Sequence, residues 1–561
     1  MESSAQAAAD RFKALYEAEW AWRTKELAIG PQGVRGPGAD RLPDVSPASQ
    51  KRRQEYWTRT LAELDRIPAD QLSPEDRINY AVFRTSITTF LHELQAKEYE
   101  MPFISGTSFW ARLAPRAGFR SADEYRAYLA RMRDIPRFFD QNVANMRAGL
   151  KRGFTPPRVT ITGRERTIEP FANADVLKNP FYNAFLQMPT SIPAAEQEAL
   201  KQEAQKVIAE AVVPAFTKLL PFIRDEYIPG ARTTIAAEAL PNGKAHYATL
   251  VKDHTTLDLT PRQIHQIGLG EVARIRAEMD VVMRKSGWTG SFPDFLTFLK
   301  SDPQFVAKTP YELLSRATFI INKVNGKLGE TIGLLPRYRF TILPTPAAIA
   351  PFGTGGNGGL DSCVFNTYNL PARKLYTLPA LAVHECAPGH SFQAALALEG
   401  PKRPDFRRSA SFNGYGEGWG LYTEFLGIGM GVYETPYEDF GRLTYEMWRA
   451  CRLVIDTGMH HLGWSREKAI AYLAGNTALA DHEVETEVDR YISNPGQALA
   501  YKLGEMLIRR KRIEAETKLG SNFDQRWFHD VILALGSVPL PVLEQQIDLW
   551  IAGGGKNPNA A

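Results

Sequence analysis

The sequence predicts a mainly α-helical fold with a small β-sheet, and three observations support this fold class. Long segments repeat apolar residues at steps of three or four, as one buried face of a helix does. At Thr260 and Thr309 a threonine precedes a proline, with glutamine or glutamate three residues after the threonine, which is a helix-start signal. Strand-like alternation is confined to 338–343 and 362–368.

Helices are predicted along most of the chain. The predicted ranges, in order, are 74–94, 122–150, 193–223, 260–282, 309–320, 436–461, 465–474 and 495–517. The fourth range has the clearest periodicity, carried by Ile264, Gly268, Val272, Ile275, Met279 and Val282. No repeat of fixed period and no low-complexity linker interrupts these segments. We therefore predict a single domain over 1–561, with an N-terminal helical layer of about 1–330 and a second half of about 331–561.

A glycine-rich stretch, 351–359, separates the two strand candidates. It lacks the strand–GxGxxG–helix context of a dinucleotide site and the GK[ST] of a phosphate loop. Two interpretations remain open, a flexible surface loop and a mobile loop beside an active site, because the following strand leads directly towards His384.

Composition excludes several classes of protein. The 561 residues are 44% hydrophobic and 23% charged, and 67 basic against 63 acidic residues leave a net charge of +4, as in an ordinary soluble enzyme. No basic run tracks nucleic acid, so we expect no nucleic-acid partner. No apolar run approaches the ~18–20 residues of a membrane span. The N-terminus has no signal-peptide pattern, which fits either a cytosolic protein or a trimmed exported form.

Three cysteines, Cys363, Cys386 and Cys451, allow at most one disulfide. Cys386 lies between two histidines and could ligate a metal. We favour a small buried packing residue at this position.

A candidate metal site follows from His384, Glu385 and His390. Two histidines can hold a zinc ion, and a glutamate beside the first can take a proton from a water on the metal. The histidines are six residues apart, which on a regular helix separates them by about 240°. A break at Pro388-Gly389 can return His390 to the face of His384. The alternative is that the two histidines are unrelated and partly buried.

Two downstream glutamates, Glu417 and Glu424, strengthen the metal interpretation. Seven residues on a helix turn through about 700°, so the two side chains lie roughly 20° apart on one face. Aromatic and apolar neighbours surround them in the sequence, so this face is not a solvated one. One glutamate can bind the metal while the other orients a ligating histidine.

These motifs carry a family resemblance. The segment from His384 to Gln393, His-Glu-Cys-Ala-Pro-Gly-His-Ser-Phe-Gln, resembles the HExxPGHxxQ signature of the bacterial family known as domain of unknown function 885. Further matching stretches are Glu417–Glu424, Arg452–His460, Gly463–Ser465 and Glu487–Gly504, and more loosely Leu42–Pro47 and Leu72–Tyr80. One departure is Ser391, where the family usually has another histidine.

The family is similar to helical zinc peptidases of the carboxypeptidase Taq and angiotensin-converting-enzyme groups. The resemblance implies a zincin-like helical body with a deep central cleft, a small sheet beside the metal site and Zn²⁺ at the floor. It also implies that the third metal ligand is a glutamate on a later helix. We assign His384, His390 and Glu417 as ligands, with Glu424 and Asp456 as supporting residues. The reverse assignment of Glu417 and Glu424 remains open.

The resemblance further implies that later helices supply donors for the reaction oxyanion. Tyr501, in a PGQAxxY-like run, is the favoured donor, and His460 is the next candidate. His460 could instead be a core histidine that buttresses Asp456. Arg490 could bind a substrate carboxylate or pair with Asp489 or Glu487.

Together these features predict a zinc-dependent hydrolase that cleaves peptide amide bonds, with Glu385 as the base. The substrate is expected to be a peptide or a small amide, and the strand 364–368 is expected to pair with an extended peptide. Alternatives are an amidohydrolase acting on a non-peptide metabolite, a non-haem iron oxygenase, or a non-catalytic peptide-binding protein with a structural metal. We expect a periplasmic or secreted protein whose signal has been removed, with the cytoplasm as the alternative.

Overall fold

The computed structural model of the chain describes residues 2–29, 39–115, 118–347 and 350–560, and these residues form a mainly α-helical protein with small sheets. The helices up to residue 255 are α1 (Glu2–Glu26), α2 (Pro47–Leu64), α3 (Pro74–Ala96), α4 (Ala122–Arg152), α5 (Arg158–Ile161), α6 (Ala194–Val207), α7 (Val213–Pro221), α8 (Ile228–Gly230) and α9 (Gly243–Thr255). The predicted fold class is confirmed.

The later elements carry the candidate site. The helices are α10 (Pro261–Lys285), α11 (Phe292–Ser301), α12 (Pro310–Asn325), α13 (Leu328–Thr331), α14 (Leu378–Glu385), α15 (His390–Glu399), α16 (Asp405–Ser409), α17 (Asn413–Gly429), α18 (Pro436–His460), α19 (Arg466–Asn476), α20 (Asp481–Ser493), α21 (Ala500–Leu519), α22 (Gln525–Ala534) and α23 (Leu540–Ala552). The strands are β1 (Phe103–Ile104), β2 (Thr107–Ser108), β3 (Thr341–Pro344), β4 (Gly356–Gly358) and β5 (Ser362–Phe365).

The chain divides into two compact units. One comprises Met1–His246 and Pro404–Ala410, and the other comprises Tyr247–Arg403 and Ser411–Ala561. The first unit has an aromatic core in which the rings of Phe139, Phe181 and Phe216 pack between α4, α7 and the intervening chain. The predicted single domain, its layer boundary near residue 330 and its central cleft stay predictions.

The second unit holds the candidate site on tightly packed helices. At the crossing of α10 and α18, a Cβ on Gly268 would lie only 2.7 Å from Leu453 Cβ, so glycine permits this close approach. A buried cluster joins Leu313 and Ala317 of α12 to Phe365 of β5 and Ala382 of α14. This cluster fixes the sheet against the helix that carries His384.

Helix-start chemistry is confirmed where the sequence predicted it. Thr260 and Gln263 form a reciprocal capping box at α10, and the Thr309 side chain accepts from the Glu312 N–H at α12. One boundary was wrong. The helix predicted from residue 495 begins at Ala500, because Gly496 has a φ of +83° and a short 3₁₀ turn follows it.

The sheet beside the site has the strand order β3-β5-β4, with β3 parallel and β4 antiparallel to β5. The prediction that the strand at 364–368 offers a free edge to a peptide was wrong, because β5 is paired on both sides. The edge strands are β3 and β4, and β4 lies inside the glycine-rich stretch that was interpreted as a loop. In β4, Gly358 lies opposite Cys363 of β5.

Across the described parts of the chain, no helix combines the length and apolar character that crossing a membrane requires.

Candidate metal centre

The break between α14 and α15 brings the two histidines of the motif together. Helix α14 ends at Glu385 and α15 begins at His390, with a cis Ala387–Pro388 bond between them. A Cβ on Gly389 would lie 1.8 Å from the His384 carbonyl oxygen, so only glycine fits there. The imidazole rings of His384 and His390 consequently lie 4.8 Å apart between centroids, at 86° to each other.

Helix α17 adds a carboxylate to this pair. Glu417 Oε2 lies 3.6 Å from His384 Nε2 and 3.4 Å from His390 Nε2. One ligand atom from each residue lies within 4.8 Å of the other two, which is close enough to share an ion. Gly420 allows α17 to approach, since a Cβ there would lie 2.8 Å from His384 Cε1. Two histidines and one glutamate with a remaining open position match the donor set of a catalytic zinc site.

The second nitrogen of His384 has a separate partner. His384 Nδ1 lies 2.8 Å from Glu424 Oε1, and this carboxylate also lies 3.5 Å from Arg449 Nη2. Both His384 and Glu424 are buried. A carboxylate on Nδ1 fixes the imidazole tautomer that presents Nε2 to a metal and orients the ring.

Electrostatics of the cluster favour a bound cation. Burial raises the pKa of Glu417, but the contacts with His384 and His390 outweigh it and hold that pKa well below its usual range. Burial lowers the pKa of His384, but Glu417 and Glu424 outweigh it and raise the pKa to about 9. Because a ligating imidazole must be neutral, a metal ion competes with a proton at this position.

The cluster is open on one side only. The His384 side chain is 3% exposed, whereas those of His390 and Glu417 are 22% and 26% exposed. A water or a substrate can therefore approach along His390 and Glu417, while His384 is closed off by the protein.

Glu385, the predicted base, faces the sheet edge. Its Oε2 accepts a hydrogen bond of 2.7 Å from the N–H of Gly358 in β4. A Cβ on Gly358 would lie 1.9 Å from the Glu385 carbonyl oxygen and 2.8 Å from His390 Cβ. Glycine at this position therefore lets the edge strand reach both the base and a ligating histidine.

A disulfide ties this arrangement together. Cys386 is bonded to Cys363, the residue opposite Gly358 in the sheet. Cys386 is buried in the apolar cluster beside α14, as the favoured packing role predicted. The alternative metal-ligand role was wrong, because the sulfur is committed to a covalent bond. The bond joins Cys386, the residue after Glu385, to β5. Strand β5 pairs with β4, whose Gly358 N–H donates to Glu385. Cys451 is a free, buried cysteine.

Tyr501 lies near the carboxylate ligand. A Cβ on Gly418 of α17 would lie 2.7 Å from Gly504 Cα of α21, so these helices meet through glycine. Burial raises the pKa of Tyr501, and the Glu417 carboxylate raises it further. The second effect indicates that the phenol is within electrostatic range of Glu417. The Arg452 guanidinium carbon lies 4.3 Å from the Tyr501 ring centroid.

Arg490 forms the ion pair that was one of its predicted alternatives. Its Nη2 donates to Glu487 Oε2 at 2.8 Å, and its Nη1 donates to Gln497 Oε1 at 2.8 Å. Asp489 pairs with Arg466 instead. Arg490 thus links α20 to the turn that precedes Tyr501. Its guanidinium nitrogens are largely occupied by Glu487 and Gln497.

His460 is buried in the core, as one of its two predicted alternatives required, and Asp456 contacts residues outside the cluster of candidate ligands. His460 Nε2 lies 2.9 Å from the Tyr491 carbonyl oxygen, and the side chain is fully buried. Asp456 accepts hydrogen bonds from Tyr247 Oη at 2.7 Å and from the Gly496 N–H at 3.1 Å. The assignment of Asp456 as a support for the ligands is corrected accordingly, because it holds the turn before α21 instead.

Comparisons with known proteins agree with this geometry at the level of the family. The family model described as "Bacterial protein of unknown function (DUF885)" matches residues 27–547. The chain belongs to the DUF885 family. No curated protein matches it.

Two solved structures share the fold of this DUF885 protein. A "putative lipoprotein from Colwellia psychrerythraea" is 26% identical, with a TM-score of 0.88 over 98% of this chain and 99% of the other. A "putative lipoprotein of unknown function from Shewanella oneidensis" is 18% identical, with a TM-score of 0.70 over 96% of this chain and 99% of the other.

Sequence reasoning missed three residues of the site, namely Gly358, Gly420 and Arg449. Glycine disfavours helices by about 1 kcal/mol, so the alternating glycines between Gly414 and Gly420 were a usable signal of close approach. Gly358 had no comparable signal, because a strand made of glycines shows no alternation. Arg449 lies within an ordinary helical pattern.

Proposed function

We propose that this protein is a zinc-dependent hydrolase that cleaves amide bonds of peptides. The observation that carries the proposal is the combination of three candidate ligands, open on one side, with a glutamate next to the first histidine. A structural metal site would need neither the open side nor the neighbouring base. The arrangement therefore supports a catalytic metal site rather than a structural one.

The residues divide the chemistry between them. A zinc ion bound by His384, His390 and Glu417 would lower the pKa of a coordinated water to about 7. Glu385 takes the proton of the attacking water and passes it to the leaving amine. The Gly358 N–H orients the Glu385 carboxylate, and Tyr501 donates to the oxyanion that forms at the substrate carbonyl.

We further propose that the substrate lies along β4. As one of the two edge strands, β4 leaves backbone groups of alternate residues unpaired by the sheet, and an extended peptide can pair with such groups. The strand also carries Gly358, so a peptide there would pass directly beside Glu385.

An extracytoplasmic location is part of the proposal. The disulfide between Cys363 and Cys386 is of the kind that persists in oxidising compartments. The similar structures from Colwellia and Shewanella are described as lipoproteins, which supports the same location.

The decisive experiment combines metal analysis with a mixed peptide library followed by mass spectrometry. We expect about one zinc per chain and cleaved peptides from the metal-loaded protein, and intact peptides after chelation. Glu385→Gln should retain zinc and lose hydrolysis, because the base alone is removed. Intact peptides from the zinc-loaded protein would indicate a non-catalytic role, and iron with oxygen consumption would indicate an oxygenase.

A further inference from the structure

A small pocket with a cavity volume of about 30 Å³ lies between β5, α14 and the start of α20. Its walls are mostly apolar and include Phe365 of β5, Leu378 and Leu381 of α14, and Leu479 before α20. Three charged residues, Arg373, Lys374 and Glu483, also line it. None of these residues has a part in the chemistry proposed above.

The pocket and the base share the same helix and the same strand. Leu381 lines the pocket and packs beside Gly355, where a Cβ would lie 3.2 Å from Leu381 Cδ2. Glu385 follows Leu381 by four residues and therefore lies about 6 Å further along the same helix face. An extended peptide advances about 3.3 Å per residue, so a side chain one or two residues from the scissile bond reaches this pocket.

Within the part of the chain that the structure describes, Arg373 and Glu483 lack a direct contact with an oppositely charged group. Among the described residues, neither the Arg373 guanidinium nor the Glu483 carboxyl makes a hydrogen bond or an ion pair, and Arg373 Nε is buried. The other cation in the lining, Lys374, already donates to the Lys300 carbonyl oxygen at 2.5 Å. An unpaired charge in a mostly apolar pocket is costly unless a ligand supplies the missing contact.

Arg373 and Glu483 attract each other without touching. Burial and the neighbouring Glu487 raise the pKa of Glu483 to about 7, while Arg373, Arg449 and Arg452 oppose this rise. A cationic ligand group would face Arg373, and an anionic group would face Glu483. A neutral group with one donor and one acceptor satisfies both, and a primary carboxamide is such a group.

We propose that this pocket binds a glutamine or asparagine side chain of the substrate. The carboxamide NH₂ donates to the Glu483 carboxyl, and the carboxamide oxygen accepts from the Arg373 guanidinium. This proposal rests on the proposed peptide hydrolysis and adds a side-chain preference to it.

The test uses one cleaved library peptide with the residue on either side of its scissile bond changed in turn to Gln, Asn, Lys, Glu or Leu. A charge-assisted hydrogen bond implies a kcat/KM about 10- to 100-fold higher for Gln than for Leu at one position. In Glu483→Leu and in Arg373→Met the Gln-to-Leu ratio should fall towards one. Ratios within one variant remain interpretable even if its total activity drops.

Glu485→Leu, at an exposed position on the same helix, is the matched control and should keep the wild-type ratio. A Leu peptide with a C-terminal carboxamide tests whether the amide may come from the chain end. A preference for Lys or Glu, or a Gln preference that survives in Glu483→Leu, would overturn the proposal.

Binding measurements separate this proposal from the proposed hydrolysis. Glu385→Gln and the double variant Glu385→Gln/Glu483→Leu are titrated with the Gln and Leu peptides. Tighter binding of the Gln peptide by the first variant, lost in the second, supports the pocket even if the wild-type protein cleaves nothing. Equal binding of both peptides by Glu385→Gln overturns the pocket assignment even if the wild-type protein is a hydrolase.

Discussion

Two groups of motif residues are built differently. The ligand cluster comprises His384, His390, Glu417 and Glu424, and the downstream cluster comprises Asp456, His460, Arg490 and Tyr501. In the ligand cluster, Glu417 lies within 3.6 Å of both histidines, and Glu424 contacts the free nitrogen of His384. In the downstream cluster, Arg490 is paired with Glu487 and His460 is held by a backbone carbonyl. Tyr501 is in electrostatic range of Glu417. The comparison indicates that the first motif residues converge on one candidate metal centre, whereas most downstream motif residues bind one another or the backbone.

The largest effect is expected at the heart of the ligand cluster. His384→Ala removes one candidate ligand and leaves Glu417 with a single histidine, so the variant should bind no zinc and show no hydrolysis above that of metal-free protein. Metal content and peptide turnover measure this directly. The exposed His482→Ala is the control and should behave as wild type. Stoichiometric zinc in His384→Ala would mean that another set of residues binds the metal.

Tyr501 tests whether the downstream cluster contributes any catalytic group. Loss of one oxyanion donor typically lowers kcat about 10²- to 10³-fold, so Tyr501→Phe should show a fall of this size with unchanged zinc content. Tyr311, which is 80% exposed, provides the matched Tyr→Phe control. If Tyr501→Phe retains the wild-type kcat, the downstream cluster is entirely structural and the oxyanion donor lies elsewhere.

Parts of the ligand cluster could be anticipated from sequence because their geometry is local, whereas the meeting of Glu417 with the histidines was expected only from the family resemblance. The break at Pro388-Gly389 follows from two residues that disfavour a continuous helix, and helical rotation alone puts Glu417 and Glu424 on one face. The buried face of α10 and its capping box are local in the same way. Each of these features depends on residues within two or three turns of one another.

The features that escaped prediction depend on distant segments. Three cysteines permit three different pairs, and only the packing of β5 against α14 selects Cys363 and Cys386. Strand β4 has no side-chain alternation because it is Gly-Asn-Gly. Arg490 had two acidic neighbours on its own helix, and the choice of Glu487 depends on Arg466 occupying Asp489.

Glu424 tests whether the ligand cluster depends on a contact outside the proposed ligand set. It does not belong to the proposed ligand set, but it holds His384 Nδ1 at 2.8 Å. Removal of such a carboxylate commonly costs 10- to 100-fold in metal affinity or activity, so Glu424→Gln should weaken zinc binding by about this factor. Competition with a chelator measures the affinity, and the exposed Glu434→Gln is the control. Unchanged affinity would show that the Glu424 contact does not support the metal.

The smallest effect is expected at Asp456, whose role in the downstream cluster is structural. Burial raises the pKa of Asp456 to about 7, although hydrogen bonds from Tyr247 and Gly496 oppose the rise. The folded protein therefore holds this proton more tightly than the unfolded chain. The stability contributed by the protonated carboxyl is complete below the ordinary pKa of 3.8 and is lost as the pH rises towards about 7.

Asp456→Asn removes this titration. The wild-type unfolding free energy should fall by up to about 1.4 kcal/mol per pH unit between roughly pH 4 and 7 because of this group, and the variant should lack that component. Thermal unfolding across this pH range measures the difference, with zinc content expected to be unchanged. Asp258→Asn, at a side chain that is 97% exposed, should keep the wild-type pH dependence. If Asp456→Asn instead loses zinc, the two clusters are coupled, because the turn before α21 is then required for metal binding.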